Sequence, residues 1–479
     1  MSPNLKSCTQ FPLVIEAKLA TEIKSGRVKG PFSAPPLPNL QVSPIGLVPK
    51  KTPNQYRLIH HLSYPKGKSV NDFIDHNFST VHYASFDDAV AAVLLLGKGC
   101  LMAKTDIDNA FRLVPIHPLD HDLLGFSFNN NFYYDTCLPM GSSSSCFIFE
   151  CFSSGLQWIA QERLGIQHMV HILDDFLILG PANSSVCQLN LQRFLQLCSS
   201  LGVPIKLEKT ESARQVITFM GLELDSSVME ARLPADKLEK LRTILDKYCK
   251  SRKIKLKDLQ SLLGLLNFCC NVVLPGRAFL RRLTDLTKKV SCPSHRITLN
   301  KESRRDIVAW QTFIRHFNGK QLLLSQRWVT DTSLHLFTDA SGTLGFGAVF
   351  GTHWLYGSWP KEMFELNITF KELLPIVVAV NIWGPYLKNK CLVLHSDNLA
   401  VVHIVNKQSS KDPLIMHLVR KLVITCMSFN ILVKSTHIPG KTNVLADFLS
   451  RLQIDKFREV ARHMDKSPTA IPEELLHLP

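Results

Sequence analysis

Asp174 and Asp175 stand side by side between two apolar runs, in His171-Ile172-Leu173-Asp174-Asp175-Phe176-Leu177-Ile178-Leu179. The simplest backbone for that pattern is a tight hairpin with both acids at its tip. Adjacent carboxylates repel and resist desolvation, so a partly buried pair needs a cation or several donors. A solvated Asp-Asp turn would satisfy the dipeptide alone, but a third acid shifts the balance. Asp106, in Lys104-Thr105-Asp106-Ile107-Asp108, closes an apolar run just before a turn. One acid at a strand end and two on a hairpin can converge on a pair of Mg²⁺ ions, which would activate a hydroxyl and neutralise a triphosphate. Asp108 competes for the place of Asp106, or faces solvent or caps the following turn.

A second set lies further along. Phe337-Thr338-Asp339-Ala340-Ser341 puts an acid on a strand, and Gly345-Phe346-Gly347-Ala348 supplies a glycine-containing strand beside it. Glu372 falls near a helix start, Asp397 ends an apolar strand, and His437 precedes Asp447 in a loop-to-helix segment. Four acids meeting over a sheet would bind two Mg²⁺ (Mn²⁺ could replace them) and position water for in-line attack on a phosphodiester. His437 would move a proton or help product leave. Structural alternatives exist for each residue. Thr369-Phe370-Lys371-Glu372 is itself a capping box, Asp397-Asn398 could be a strand-end turn, and Asp447 a solvated helix charge.

The elements that must position these groups are legible in outline. At roughly 150 residues per domain, a chain of 479 residues predicts about three domains. Residues 1–40 end in a Pro- and Ser-rich stretch and read as an extended lead-in. Residues 41–229 mix strands such as 100–105 and 169–172 with helices such as 90–96, an α+β pattern. From 230 to 330 the pattern is amphipathic helix: Leu238, Leu241, Leu245 and Tyr248, then Leu259, Leu262, Leu263 and Leu266, fall on single faces. From 331 to 453 strands and helices alternate again as a smaller α/β domain, and 454–479 reads as a polar tail. Hydrophobic residues at 45% exclude wholesale disorder. No apolar run reaches membrane-spanning length, and the opening residues read as lacking a secretory signal. Thirteen cysteines, scattered without a Cys-x-x-Cys pair, predict neither a disulfide framework nor a zinc site, and point to an intracellular, reducing compartment. The net charge is +15, and fifteen basic residues face five acidic ones between Arg232 and Lys289. A basic excess concentrated in that way suits a phosphate-backbone partner, though a solvated helix face would read the same.

In order and residue type, the first half resembles the reverse transcriptases. Ile172-Leu173-Asp174-Asp175 is similar to the family's x-x-Asp-Asp box, Asp106 with Ala110-Phe111 to the preceding catalytic strand, and Leu138-Pro139-Met140-Gly141 to its Leu-Pro-x-Gly segment. Val48-Pro49-Lys50-Lys51 and Tyr56-Arg57-Leu58-Ile59 resemble finger strands, and Lys209 with Phe219-Met220-Gly221 later palm motifs. The resemblance implies catalytic, metal-binding roles for Asp106, Asp174 and Asp175. It further implies that Lys51 and Arg57 hold triphosphate oxygens, that Lys209, Met140 and Gly141 lie at the nucleotide, and that Phe111 excludes a ribose 2′-hydroxyl. Asp339, Glu372, Asp397, His437 and Asp447 resemble the ribonuclease H set. Together these imply a multidomain α+β protein. Its right-hand polymerase (fingers, palm, thumb) would be followed by an α/β ribonuclease H-like domain, with RNA template, DNA primer, RNA–DNA hybrid and dNTPs as partners. Ser43-Pro44-Ile45-Gly46 and Leu62-Ser63-Tyr64-Pro65-Lys66-Gly67-Lys68-Ser69-Val70-Asn71 resemble the DIRS-like lineage of tyrosine-recombinase retroelements. A decayed relative that binds nucleic acid without catalysis, or keeps only hybrid cleavage, is the rival reading.

Overall fold

The computed structural model describes residues 2–50, 54–288, 290–316, 320–322, 335–388, 390–429 and 431–476. The chain divides into two units, Met1–Glu230 and Ala231–Pro479.

In the first unit a four-stranded antiparallel sheet runs in the order Met169–Ile172, Asp175–Gly180, Leu101–Asp106, Glu211–Arg214. The strand Asp175–Gly180 lies between two others, and its Phe176, Leu177, Ile178 and Leu179 are all buried. Burial on both faces is why this strand reads as a continuous apolar run rather than an alternating one. Helices Ser145–Leu164 and Val186–Ser200 bring Phe149, Leu156, Leu191 and Phe194 into the same core as Phe176 and Ile178. Each such side chain contributes about 1.5–3 kcal/mol by burial. The strands carrying the first acids are therefore held by a core, not by their loops. The same unit holds a three-stranded sheet (Val28–Phe32, Asn131–Asp135, Gly125–Phe128), the hairpin pairing Ile45–Pro49 with Tyr56–His60, and the antiparallel pair Val216–Phe219 and Leu222–Asp225.

The N-terminus departs from the expected extended lead-in. Lys6–Gln10 and Pro12–Lys24 are helices. Pro12 sits in the first turn, where its missing amide costs nothing. Ile15 and Leu19, one helical turn apart, bury with Cys8 against Val28, Ile45 and Phe126. The prolines that suggested extension are confined to 31–38 and do not reach these helices.

In the second unit, helix Ala235–Cys249 buries Leu238, Leu241, Leu245 and Tyr248, and helix Leu256–Cys269 buries Leu259, Leu262, Leu263 and Leu266. Between them the strand Lys253–Lys255 turns Ile254 inward and both lysines outward. A five-stranded sheet follows in the order His353–Ser358, Gly345–Phe350, His335–Ala340, Cys391–Ser396, Leu432–His437. Its first three strands are antiparallel and its last two run parallel to His335–Ala340. Helix Ile368–Trp383 is buried along most of its length, and helix Pro413–Ser428 packs on it. Arg420 of that helix reaches back to Asp306, 3.6 Å away, and Arg282 lies 3.4 Å from the same carboxylate. Burial pushes Asp306 up to about 6 against the pull of both arginines. The boundary expected at 330/331 lies outside the described residues.

The tail is also more than polar. Helix Ile454–Val460 puts Phe457 beneath Trp354, with Ala461 and Met464 in the same cluster. A single aromatic in a charged segment was too sparse a signal for a helix. Among the described residues no helix is long and apolar enough to cross a membrane. All thirteen cysteines are free thiols.

Candidate active sites

Asp106 is the last residue of its strand and stands directly opposite Asp175, the first residue of Asp175–Gly180. Directly opposed residues of an antiparallel pair share a face, so register alone forces two carboxylates together. The hairpin turn is Leu173-Asp174, between the paired residues Ile172 and Asp175. Only Asp174 occupies the tip that the sequence seemed to assign to both acids. Leu173 has φ +52°, the positive value a two-residue hairpin turn requires at its first position. The Ile107 amide donates to the Asp174 carbonyl at 2.9 Å, tying the tip to the residue after Asp106.

Burial, and then the charge of Asp106, hold Asp174 above the usual carboxylate range. Burial pushes Asp175 up to about 6, with Lys104 opposing and Asp106 and Asp174 adding to the rise. Lys209 answers this repulsion, its Nζ donating to Asp106 Oδ2 at 2.7 Å. Partial burial works against that ammonium, but the hydrogen bond and charge of Asp106 outweigh it and raise its pKa. An ammonium on a cluster of repelling carboxylates stands where a divalent cation would be welcome, and hard oxygen donors of this kind fit Mg²⁺. The competing candidate Asp108 accepts from Asn109 Nδ2 at 2.8 Å, and the acid whose charge acts on Asp174 and Asp175 is Asp106.

The residues expected at the nucleotide lie in different settings. Lys51 lies outside the described residues. Arg57 is exposed on Tyr56–His60 and its charge is felt at Asp174. Lys50, which the sequence reading passed over for Lys51, shares its field with Lys18, Lys206 and Arg57; burial and this company lower its pKa. Phe111 is half-buried in the turn Ala110–Leu113, edge-on to Phe149 at 5.5 Å. Gly141 has φ +152°, and a Cβ there would collide with the His60 carbonyl oxygen. The close approach made by Gly141 is thus to the neighbouring strand, whose His60 amide also donates to the Met140 carbonyl at 3.0 Å. Behind it, the His60 ring meets Asp135 and the Gly125 carbonyl, both at 3.1 Å, and Arg112 meets Asp135 at 2.7 Å. A buried charge network therefore backs Met140 and Gly141.

In the second unit, oxygens of Asp339, Glu372 and Asp397 lie within 4.8 Å of one another. Among the described residues this is the one group of three or more Asp, Glu, His or Cys side chains gathered so tightly. The helix is not capped by Glu372: Asn367 does that, accepting the Thr369 amide at 2.8 Å. Glu372 is instead buried with its Oε2 lacking any hydrogen-bond partner. Burial pushes it up to about 9, and Asp339 and Asp397 add to the rise. Asp339 rises to about 6, chiefly by burial. A buried carboxylate oxygen with no donor, beside two more acids, is a donor set that fits a divalent cation. Asn398, not Asp397, makes the strand-end turn, accepting the Ala400 amide at 3.0 Å. His437 is exposed, and its Nε2 lies 3.1 Å from the backbone carbonyl of Asp397 rather than from a carboxylate. Asp447 is half-buried on helix Val444–Ser450, pairs with Arg451 at 2.7 Å, and its charge is felt at Asp339.

Two further residues serve this group and were not foreseen. Ser450 donates to Asp339 Oδ2; its place three residues after Asp447, on the same helix face, was the available signal. Lys371 is buried, and its Nζ donates to the carbonyls of Gly342 at 2.6 Å and Phe364 at 2.8 Å, fixing the loop after Asp339. Helix 444–450 reaches Asp339 because Gly347, directly opposite it, carries no side chain. A Cβ at Gly347 would run into Leu449 and sit 3.1 Å from the Ala446 oxygen and the Ser450 nitrogen.

Residues 48–224 match the family model described as reverse transcriptase (RNA-dependent DNA polymerase). An enzymatic polyprotein of Cassava vein mosaic virus is 22% identical over 365 residues, 73% of this chain and 52% of that protein. Protein P of Duck hepatitis B virus (isolate brown Shanghai duck S5) is 27% identical over 382 residues, 76% of this chain and 43% of that protein. The chain spans about half the length, or less, of these curated relatives. Among solved structures, a foamy viral protease-reverse transcriptase in complex with ds DNA is similar at TM-score 0.54 and 16% identity, covering 91% of this chain and 70% of that one. Another in complex with RNA/DNA hybrid gives TM-score 0.51 at 16% identity, over 91% and 55%. The fold is that of a right-hand polymerase. The segment 48–224 thus carries the similarity to reverse transcriptase domains, and the relatives above are viral proteins.

Proposed function

We propose that this chain extends a DNA primer on an RNA template by two-metal nucleotidyl transfer, and that its second acid site cuts RNA in RNA–DNA hybrids. The observation that carries the first half is the register pairing of Asp106 with Asp175 beside the Asp174 turn. Mg²⁺ held by these three would supply Lewis acidity toward the primer 3′-hydroxyl and charge neutralisation at the triphosphate. The remaining work falls to the chain's own groups. Arg57, Lys50 and Lys51 bind triphosphate oxygens, Arg57 as a bidentate fork, and Lys209 adds an ammonium. Phe111 excludes a ribose 2′-hydroxyl and so selects dNTPs, while Met140 and Gly141 form the backbone ledge beside the nucleotide.

The second half rests on the Asp339–Glu372–Asp397 cluster, with Asp447 completing the Mg²⁺ ligands and His437 moving a proton or helping product leave. Exposed Lys253 and Lys255, within the basic run 232–289, grip duplex phosphates. Similarity to proteins solved with ds DNA and RNA/DNA hybrid supports such partners. The finger motifs support a DIRS-like retroelement origin, and the cysteine usage an intracellular setting. Primer extension with Mg²⁺, a primed RNA template and dNTPs is the decisive assay, and full-length DNA is the expected product. No extension across metals and salts, with hybrid cleavage intact, would leave only the ribonuclease reading. Loss of both would leave a nucleic-acid-binding protein without catalysis.

A further inference from the structure

Beneath the hairpin that carries Asp174 lies a buried polar chain that the chemistry above does not use. Glu150 is 7% exposed, in a stretch of helix flanked by Phe147, Ile148, Phe149 and Phe152. Its Oε2 accepts the Leu173 amide at 2.8 Å. That amide lies in the two-residue turn, where the ladder offers it no carbonyl, so a buried partner must come from elsewhere. Glu150 Oε1 lies 3.3 Å from His171 Nε2. His171 Nδ1 meets Gln157 Oε1 at 2.5 Å, and Gln157 Nε2 is turned toward the Met169 carbonyl at 3.4 Å.

This chain of contacts favours one arrangement of protons. The Gln157 oxygen only accepts, so His171 Nδ1 must donate to it. His171 Nε2, which also has the Ser154 hydroxyl at 3.5 Å, meets Glu150 Oε1 favourably when one proton lies between them. The pair therefore carries one shared proton and no net charge. Burial holds Glu150 above and His171 below their ordinary values, which agrees with an uncharged pair.

We propose that Glu150 is a positioning residue of the polymerase site: by one hydrogen bond to the Leu173 amide it sets the turn, and so the placement of Asp174. In that role its carboxyl acts as a neutral donor and acceptor, a part an amide side chain can also play. The inference rests on the polymerase reading of Asp106, Asp174 and Asp175.

The test compares wild type, Glu150→Gln, Glu150→Leu and His171→Ala in the full chain. The readouts are Leu173 amide exchange, Mg²⁺ dependence of primer extension, and hybrid cleavage as a folding control. Glu150→Leu should speed Leu173 exchange about tenfold. It should also raise the Mg²⁺ needed for half-maximal extension about tenfold and lower kcat by about 10–100-fold, with KM for dNTP within about twofold. Glu150→Gln should stay within about threefold of wild type on every readout, and His171→Ala should follow Glu150→Leu more weakly. Wild-type exchange and Mg²⁺ dependence in Glu150→Leu would overturn the proposal, as would a Gln variant as damaged as the Leu one. If Glu150→Leu melts, the His171→Ala and Glu150→Gln results decide by the same criteria. A wild type that extends no primer while Leu173 exchange still responds to Glu150 would sink the polymerase reading and leave Glu150 with a structural part in the turn alone.

Discussion

In the first unit an ammonium rests on the acids, Lys209 Nζ lying 2.7 Å from Asp106. In the second, Asp339, Glu372 and Asp397 gather within 4.8 Å, and burial among like charges drives Glu372 to about 9. One group relieves its repulsion with a protein cation, the other by keeping a proton. The difference teaches what a metal must displace in each place. At the first site it competes chiefly with a lysine, whose charge is the same throughout the neutral range, and with protons only as pH falls toward the value of about 6 for Asp175. At the second it competes with protons, so its hold strengthens as pH rises.

The largest expected effects test whether the sites are separate at all. Asp174→Asn should lower primer extension by about 10³-fold or more while leaving hybrid cleavage within about threefold, and Asp397→Asn should do the reverse. A substitution that lowers both rates alike would break the comparison at its root.

Next comes the proton held by the second site. Glu372 has a folded pKa above its unfolded one, so the folded state binds the extra proton. Its contribution to stability is complete below pH 4.5 and is lost as pH rises toward about 9. In EDTA the second unit should therefore unfold at falling temperature across that window, with a slope of up to about 1.4 kcal/mol per pH unit from this group. Mg²⁺ should remove much of the decline. Glu372→Gln should flatten the metal-free profile while costing hybrid cleavage about 10²–10³-fold. A flat wild-type profile in EDTA would show that the acids are not crowded as described.

Lys209→Met should make the first site behave more like the second. Without the ammonium, Mn²⁺ binding to the metal-free protein should tighten about threefold, since the ion no longer contends for Asp106. Stability should fall by only about 0.5 kcal/mol, because Lys209 is half exposed and screened. Calorimetry that finds weaker Mn²⁺ binding would reverse the assigned competition. The smallest effect belongs to Arg451→Ala. Its exposed pair with Asp447 is worth about 0.3–0.5 kcal/mol, so hybrid cleavage should stay within about threefold and the stability difference should fade in high salt.

How much of this was readable beforehand follows from what each feature depends on. The strands Met169–Ile172, Gly345–Phe350 and Cys391–Ser396 were legible to the residue because each is an apolar run cut off sharply by an acid, a turn or a glycine. The gathering of Asp339, Glu372 and Asp397 was legible because an acid at a strand end is costly unless something binds it. Features that depend on register or on distant partners were not. That Asp174 alone occupies the tip follows from the Ile172–Asp175 pairing, which no local pattern reports. That the His60 backbone fills the space a Gly141 side chain would need is likewise invisible in the sequence. Glu150 reaches Leu173 across 23 positions, with only its oddness in an aromatic helix to mark it. The helix Pro12–Lys24 was masked by the later prolines, whose turn signal spread over a segment they do not occupy.

Gly347 carries a consequence beyond its strand. Because Leu449 rests where a methyl group would be, the depth at which Asp447 and Ser450 dock is metered by an absence. A single added carbon would act as a shim under helix Val444–Ser450, tilting away one acid and unlatching the serine from another in the same movement. The proposed hybrid cleavage would then fall through a change that leaves all four carboxylates of that site intact.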